Sequence, residues 1–403
     1  MKFLIILGDG MADEPISRLG NKTPLQAAHT PYMDLLARKG RSGMLDTIPL
    51  GMHPGSEIAN LSVLGYDVPR VYEGRGVLEA ASIGVDVLPG EMAMRCNLVS
   101  IDGDWLKNHS AGHISTPEAT ELMLFLQQKL GDDVFSFFPG VSYRNLLKMK
   151  NGNKNIDCTP PHDIPEKPFR PHLIRPKDNS ATKTADALNA LIFKSQEILK
   201  DHPVNKKRLA EGKDPANSIW PWSPGYRPDM KPLIEMFPVR GGAVISAVDL
   251  IRGIGVYAGL EVIHVEGATG LYDTNYEGKA RAALDALREK DFVFLHIEAS
   301  DEAGHEGDAD LKIKTIEYLD ARIVKPIFEE TSTWHAPVTI AVLPDHPTPC
   351  AIRTHTRDPI PFLIYRNGIE PDSVQVYDEF AARAGFYGLL KGDEFMKNLF
   401  APL

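Results

Sequence analysis

The sequence predicts a doubly wound α/β fold, in which helices cover both faces of a mostly parallel sheet and a smaller α+β domain is inserted. Short apolar runs recur along the chain with helical patterns between several of them, an alternation typical of parallel sheets. Acidic residues follow some of these runs directly, at the strand ends where such sheets bind ligands. The 403 residues are 43% hydrophobic and 24% charged, an ordinary balance for a chain that buries a sizeable core.

The first apolar run, Phe3–Leu7, ends in Gly-Asp-Gly and predicts a buried parallel strand followed by a functional loop. Later runs predict further strands at 243–246, 262–265, 292–297, 338–342 and 362–365. Periodic patterns between them predict helices at 247–258, 276–289 and 308–330. Asp9, Asp301 and Asp345 each follow a predicted strand. Each carboxylate is therefore expected where a sheet of this kind binds its ligand.

The middle of the chain differs in composition. Strand-like pieces at 92–100 and 143–150 flank a helix that starts near Thr116. The stretch from Asn151 to Asn179 is rich in proline and asparagine and has no periodicity, which predicts a long loop and linker. A further helix is predicted at about 180–200.

These differences predict two domains. Residues 1–85 and 179–403 are expected to form a metal-binding catalytic α/β domain. Residues 86–178 are expected to form the inserted α+β domain, which would grip the substrate.

Charge and cysteine content exclude several classes of protein. A formal net charge of −10 argues against a nucleic-acid or anionic-membrane partner. Cys96, Cys158 and Cys350 are far apart and match no CxxC pattern, so neither disulfides nor a zinc-thiolate site is expected. The N-terminal apolar run is too short for a signal peptide, and no stretch approaches the length of a membrane span. We therefore expect a cytoplasmic protein; the sequence does not predict its oligomeric state.

Five short segments contain the residue types that hold two divalent cations beside a nucleophile. Their side chains are carboxylates, imidazoles and one hydroxyl: Asp9, Ser56, Asp301, His305, Asp345, His346 and His355. Asp301 and His305 are four residues apart, which on a helix places both on one side. Ser56 precedes a helical pattern, and a helix N-terminus favours an incoming phosphate.

Each segment alone also fits an ordinary structural role. The Asp301–His305 pair suits the solvated face of a helix, and Ser56 suits an N-cap. Asp9 suits a tight turn, and the segments that hold His346 and His355 suit polar loops. The order of the segments along the chain and their placement at strand ends favour the functional interpretation.

Taken together, the segments resemble the alkaline phosphatase superfamily and, more closely, the cofactor-independent phosphoglycerate mutases of the archaeal type. The resemblance covers nearly the whole chain. The segments that carry it are 7–13, 55–67, 273–279, 301–308 and 344–346. It implies an alkaline phosphatase-like sheet and interconversion of 2-phosphoglycerate and 3-phosphoglycerate without bisphosphoglycerate.

The resemblance also implies two divalent cations, usually manganese, with magnesium or zinc as alternatives. One cation would be held by Asp301, His305 and His355. The other would be held by Asp9, Ser56, Asp345 and His346. Ser56 would be the nucleophile and would form a phosphoserine, while the inserted domain would close over the substrate and exclude water.

The chain departs from the mutase pattern at two segments. Residues 107–114 lack the arginines expected there and contain two histidines, and residues 219–225 have tryptophan in place of an Arg-Gly step. Arginine forks are the usual way to hold phosphate and carboxylate groups. The remaining candidates for substrate binding are Asn60, His109, His113, Arg144, His162 and Lys279.

Three other functions stay open. A subgroup of the family that shares these departures has been proposed to phosphorylate homoserine, so the partner is expected to be a small phosphorylated or hydroxylated metabolite. The absence of a GxxxxGK[ST] loop weighs against a nucleotide-dependent kinase. The second open function is that of a plain phosphatase, and the third is that of a non-catalytic protein that binds metal or phosphate. A degenerate relative would be expected to lack a ligand, and all seven positions are filled.

Overall fold

Strands and helices alternate along the chain in the computed structural model, which describes residues 1–402. The strands are β1 (Lys2–Gly8), β2 (Arg41–Asp46), β3 (Glu91–Asp102), β4 (Trp105–Asn108), β5 (Phe135–Val141), β6 (Arg144–Lys150), β7 (Ile156–Asp157), β8 (Lys167–Pro168), β9 (Arg175–Pro176), β10 (Ser218–Gly225), β11 (Gly242–Ile245), β12 (Glu261–Val262), β13 (Phe292–Ile297), β14 (Val338–Leu343), β15 (Ile360–Arg366) and β16 (Leu389–Lys391). The α-helices are α1 (Pro24–Ala27), α2 (Pro31–Lys39), α3 (Ser56–Val63), α4 (Val68–Val71), α5 (Arg75–Ser82), α6 (Thr116–Leu130), α7 (Thr182–Leu199), α8 (Pro203–Ala210), α9 (Leu233–Met236), α10 (Asp249–Tyr257), α11 (Tyr276–Glu289), α12 (Ala299–Glu306), α13 (Ala309–Leu319), α14 (Lys325–Thr331) and α15 (Glu394–Phe400).

Two compact units divide the chain: Met1–Tyr72 with Asp229–Leu403, and Glu73–Pro228. The inserted unit therefore extends beyond the predicted 86–178 at both ends. At the C-terminal end the reason is β10, which pairs antiparallel with β3 and draws the chain as far as Pro228 into this unit. β10 was not predicted, because the two prolines in its sequence cannot donate to a ladder and argue against a strand.

The discontinuous unit contains an eight-stranded sheet in the order β12-β11-β13-β1-β14-β15-β2-β16. The pairs from β12 to β14 are parallel, and β15 runs antiparallel to both of its neighbours. This arrangement confirms the predicted α/β class with a mostly parallel sheet. The three central strands are β13, β1 and β14, and their carboxyl ends lie side by side.

The central strands are continuous apolar runs because both of their faces are covered. Every residue of β13 and β14, and every residue of β1 after Lys2, is buried. Helices α2, α11 and α13 contribute apolar side chains to the same core. α11 begins where predicted, at Tyr276, because the side chain of Asn275 accepts a hydrogen bond from the Gly278 N–H.

Several predicted elements differ in detail. The strand expected at 262–265 is reduced to β12, and the helix expected at 308–330 is divided into α13 and α14 by a π-helical turn, Asp320–Val324. β2 and β16 were not predicted, since neither has a continuous apolar run.

The inserted unit contains a mainly antiparallel sheet in the order β5-β6-β3-β4-β8, with β10 also paired to β3. Helices α6 and α7 share an apolar core with this sheet. α6 begins at a capping box formed by Ser115 and Glu118. Within residues 1–402, no helix has both the length and the apolar character needed to cross a bilayer.

Candidate active site

Three carboxylates meet at the carboxyl edge of the central strands. Asp9 follows β1 directly, Asp345 lies two residues beyond β14, and Asp301 lies in the first turn of α12 after β13. All three side chains are buried. Because these strands are parallel neighbours, three residues far apart in sequence converge on one place, as the strand-end pattern predicted.

A first donor set surrounds Ser56 at the start of α3. The His346 Nε2 lies 3.2 Å from the Ser56 hydroxyl oxygen. The same nitrogen is 3.3 Å from Asp345 Oδ2 and 3.7 Å from Asp9 Oδ1. These four predicted ligands are therefore close enough to share one cation.

A second donor set lies beside the first. The Nε2 of His305 is 3.2 Å from Asp301 Oδ2, and the Nε2 of His355 is 3.4 Å from Asp301 Oδ1. The two imidazole nitrogens are 3.0 Å apart. The rings of His346 and His355 stack with their centroids 3.9 Å apart, which joins the two donor sets. All seven predicted ligands thus lie together.

The hydrogen bonds of His305 and His355 indicate which ring nitrogens of the second set are available to bind a cation. His305 Nδ1 lies 3.0 Å from the Arg353 carbonyl oxygen, and His355 Nδ1 lies 3.4 Å from the Pro54 carbonyl oxygen. A carbonyl oxygen only accepts, so each Nδ1 carries a proton. The two Nε2 lone pairs then face each other unless a proton or a cation lies between them. Three imidazoles with three carboxylates suit a divalent transition metal.

Charge in the cluster is unbalanced without a cation. Burial raises the pKa of Asp9 well above its usual value, and the charges of Asp345 and Asp301 raise it further. Its Oδ1 atom has no hydrogen-bond partner among the described residues. Burial opposes ionisation of Asp301, but hydrogen bonds from His305 and His355 outweigh it and hold the pKa well below its usual range. A dication would neutralise these groups.

His296 is a functional residue that sequence reasoning missed. Its Nε2 lies 2.9 Å from Asp9 Oδ2, and its Nδ1 lies 3.2 Å from the Ser246 hydroxyl. Burial lowers the pKa of His296 to about 3, so the ring is neutral. The bond turns Asp9 so that its other oxygen is free for a cation. The sequence signal that could have identified it is its position as the single polar residue in the apolar run 292–297.

Two of the predicted substrate-binding residues lie in this unit. Asn60 is buried, and its amide donates to Asp345 Oδ2 at 2.9 Å and to the Ser56 carbonyl at 2.8 Å. It therefore orients a ligand of the first donor set. Lys279 is also buried, and burial lowers its pKa to about 8, although the charge of Glu298 opposes the change. Direct contact of either residue with substrate stays a prediction.

A buried lysine joins the loops that follow β1 and β14. Lys312 Nζ donates to the Ala12 carbonyl at 3.0 Å, to Asp13 Oδ2 at 2.8 Å and to the Thr348 carbonyl at 2.8 Å. Both charged side chains of this pair are fully buried. Because the bonds satisfy all three donors of the ammonium group, they fix the two loops that present Asp9 and His346.

The other four predicted substrate-binding residues lie in the inserted unit. The rings of His109 and His162 are 6.4 Å apart, and His162 lies 5.3 Å from Trp222. The Arg95 guanidinium lies over the Trp222 ring, 4.5 Å from its centroid, so that these four side chains form one row of aromatic and cationic groups. Burial lowers the pKa of His162, and the positive charge of Arg95 lowers it further. Arg95 and Trp222 were not predicted as site residues.

Arg144 and His113 are placed differently. The Arg144 guanidinium lies 5.6 Å from the Tyr143 ring, which in turn is 5.9 Å from His109. His113 has a positive φ of 51°, and its backbone N–H donates to the Ser110 hydroxyl at 3.2 Å. Through Tyr143, Arg144 therefore extends the row of aromatic and cationic side chains that begins at His109.

Known proteins resemble this chain over its full length. A family model described as 2,3-bisphosphoglycerate-independent phosphoglycerate mutase matches residues 37–205. A protein of that name from Methanosarcina barkeri is 51% identical over 398 residues, and the match covers 98% of each chain.

Solved structures agree with this result. A protein from Pyrococcus horikoshii superimposes with a TM-score of 0.83 at 31% identity, and the match covers 99% of this chain and 97% of the other. A cofactor-independent phosphoglycerate mutase from Thermoplasma acidophilum superimposes with a TM-score of 0.70 at 29% identity, and the match covers 99% of each chain.

Proposed function

The chain belongs to the family of 2,3-bisphosphoglycerate-independent phosphoglycerate mutases, and we propose that it interconverts 2-phosphoglycerate and 3-phosphoglycerate through a phosphoryl group carried on Ser56. The observation that carries this proposal is the position of the Ser56 hydroxyl, 3.2 Å from His346 Nε2 and inside the first donor set. A metal-activated serine at a helix N-terminus is suited to receive a phosphoryl group.

We propose that two divalent cations occupy the donor sets, one held by Asp301, His305 and His355 and the other by Asp9, Ser56, Asp345 and His346. The donor types favour manganese or zinc over magnesium, because magnesium prefers oxygen ligands and each set includes imidazole. When bound, such cations stabilise negative charge on the attacking and leaving oxygens of an in-line transfer.

Ser56 and the two substrate hydroxyls account for the bonds that form and break. The Ser56 oxygen loses its proton and bonds to phosphorus, while the bond between phosphorus and the substrate oxygen breaks and that oxygen takes up a proton. The other hydroxyl of the bound glycerate then loses its proton and bonds to phosphorus, while the bond between phosphorus and the Ser56 oxygen breaks and Ser56 recovers its proton. Phosphate, charge and protons balance over the cycle, and no nucleotide or bisphosphoglycerate is consumed.

We propose that His109, His162, Arg95 and Arg144 of the inserted unit bind the substrate carboxylate in place of the arginines missing from 107–114. The support is the run of cationic and aromatic side chains that connects them, and the positive charge that lowers the pKa of His162. This proposal is consistent with the role expected for the inserted unit, which is to grip the substrate.

His162→Ala is expected to raise KM for 3-phosphoglycerate about tenfold and to change kcat little, because one hydrogen bond to a charged carboxylate is lost. His172→Ala is the matched control, because it removes an imidazole of the same unit that lies outside the row of aromatic and cationic side chains. It should leave KM and kcat unchanged. Steady-state kinetics measures both effects. A KM unchanged by His162→Ala would contradict the assignment.

A phosphotransferase acting on homoserine is the second candidate, and the lack of arginine in 107–114 favours it. Two tubes followed by phosphorus NMR distinguish the two functions: 3-phosphoglycerate with Mn²⁺ alone, and homoserine with ATP and Mn²⁺. We expect isomerisation in the first tube and no transfer in the second. Transfer in the second tube alone would overturn the mutase proposal.

We further propose that the protein acts in the cytoplasm on a small phosphorylated metabolite. The support is its thiols: Cys96, Cys158 and Cys350 are all free, as expected in a reducing compartment. Two of them, Cys96 and Cys350, are buried, and burial raises the pKa of both thiols. Neither is therefore expected to be reactive.

A further inference from the structure

Thr348 lies between the two donor sets and belongs to neither. It is buried in the loop after β14, two residues beyond His346. Its hydroxyl oxygen is 2.5 Å from Asp301 Oδ1 and 3.3 Å from His346 Nδ1. One side chain thus contacts a ligand of each set.

Counting protons fixes the direction of both bonds. A threonine hydroxyl has one proton. An oxygen 2.5 Å from a carboxylate oxygen needs that proton between them, so Thr348 donates to Asp301. The Thr348 oxygen can then only accept from His346, whose Nδ1 must carry the proton. The lone pair of His346 is left on Nε2, the atom that faces Ser56.

The loop after β1 packs against the same bond. A Cβ added to Gly10 would lie 2.6 Å from both Asp301 Oδ1 and the Thr348 hydroxyl oxygen, and its φ of +60° also favours glycine. A glycine here lets the backbone approach and cover the contact between these side chains. For His305 and His355 the Nδ1 acceptor is a backbone carbonyl, whereas for His346 it is a side chain that substitution can remove.

We propose that Thr348 is a positioning residue that fixes the tautomer of His346 and the direction of Asp301, and so strengthens cation binding at both sites. The inference rests on the proposed function only in that these residues hold divalent cations. Hydrogen-bond partners of metal ligands commonly affect metal affinity by 10- to 100-fold. Thr348 differs from such partners in serving one ligand of each site.

The first test is Mn²⁺ binding, followed by electron paramagnetic resonance of the free ion in titrations of metal-free protein. Thr348→Val is expected to weaken both sites by about 10- to 100-fold, whereas Thr348→Ser, which keeps the hydroxyl, stays within about threefold of the parent. Thr331→Val removes a buried hydroxyl from α14, which supplies none of the ligands, and is the matched control. Parent-like binding of two ions by Thr348→Val would overturn the proposal.

The second test reads the tautomer directly by nitrogen NMR of the histidine side chains in metal-free protein. In the parent, His346 is expected to carry its proton on Nδ1, and in Thr348→Val the Nε2–H form should become populated. An unchanged His346 spectrum would overturn the proposal. If the valine variant does not fold, Thr348→Ala provides the same comparison against Thr348→Ser.

These tests need no substrate, so their outcome is separable from that of the proposed function. A protein that binds Mn²⁺ in the expected Thr348-dependent way but does not isomerise 3-phosphoglycerate would refute the mutase proposal alone. An active mutase whose affinity for Mn²⁺ is unchanged by Thr348→Val would refute the present inference alone.

Discussion

Replacing Ser56 with alanine is expected to lower turnover of 3-phosphoglycerate by about a thousandfold or more, because the variant has no oxygen to carry the phosphoryl group. The variant should fold normally, since Ser56 is the first residue of α3 and the cap position is held by Gly55, so the helix start does not depend on the Ser56 side chain. The second donor set, which does not include Ser56, should still bind its cation.

Rapid-quench measurement of labelled phosphoprotein checks the covalent step, and a coupled assay measures turnover. Ser62→Ala on the same helix is the matched control and should keep near-normal activity. Near-normal turnover by Ser56→Ala would refute the phosphoserine route.

Removing divalent metal is expected to abolish activity, and manganese is expected to restore it. The physical reason is the pair of imidazole nitrogens 3.0 Å apart, which a cation or a proton must separate. A hydrogen bond to Asp301 raises the pKa of His305 to about 9. In metal-free protein near neutral pH, that position therefore holds a proton.

Metal binding must then release this proton, and the sign of the pH effect follows. Below about pH 9 the affinity of the second donor set for Mn²⁺ should rise about tenfold per pH unit, because one proton is displaced when an ion binds there. Titrations between pH 6 and 8 measure the slope, and His305→Gln, which cannot hold the proton, should flatten it. Full activity in a preparation shown by elemental analysis to be metal-free would contradict the proposed centre.

The parts of the fold that were predictable are those where one local property decides the structure. β1, β13 and β14 are buried on both faces, so their sequences are unbroken apolar runs. β10 contains two prolines, and its strand conformation depends on pairing with the distant β3. No local signal reports that pairing, and the end of the inserted unit was placed too early for the same reason.

The candidate site divides in a similar way. The ligands were predictable because several of them follow the carboxyl ends of predicted strands, where such sheets bind ligands, and because the set as a whole matches a known pattern. Thr348 and His296 act by orienting those ligands, and neither residue type is distinctive in sequence. The carbonyl groups of Arg353 and Pro54, which orient His305 and His355, have no sequence signal at all.

The position of β1 at the centre of its sheet has a consequence for biosynthesis. Phe3 pairs with Phe292 on one side and Thr339 on the other. At about 5–20 residues per second, the first strand leaves the ribosome on the order of 15–60 s before either neighbour has been made. The segment Glu73–Pro228 is contiguous and is complete before β13 emerges. We therefore expect the inserted unit to fold first, while the apolar N-terminal strand depends on a chaperone to keep it from aggregating.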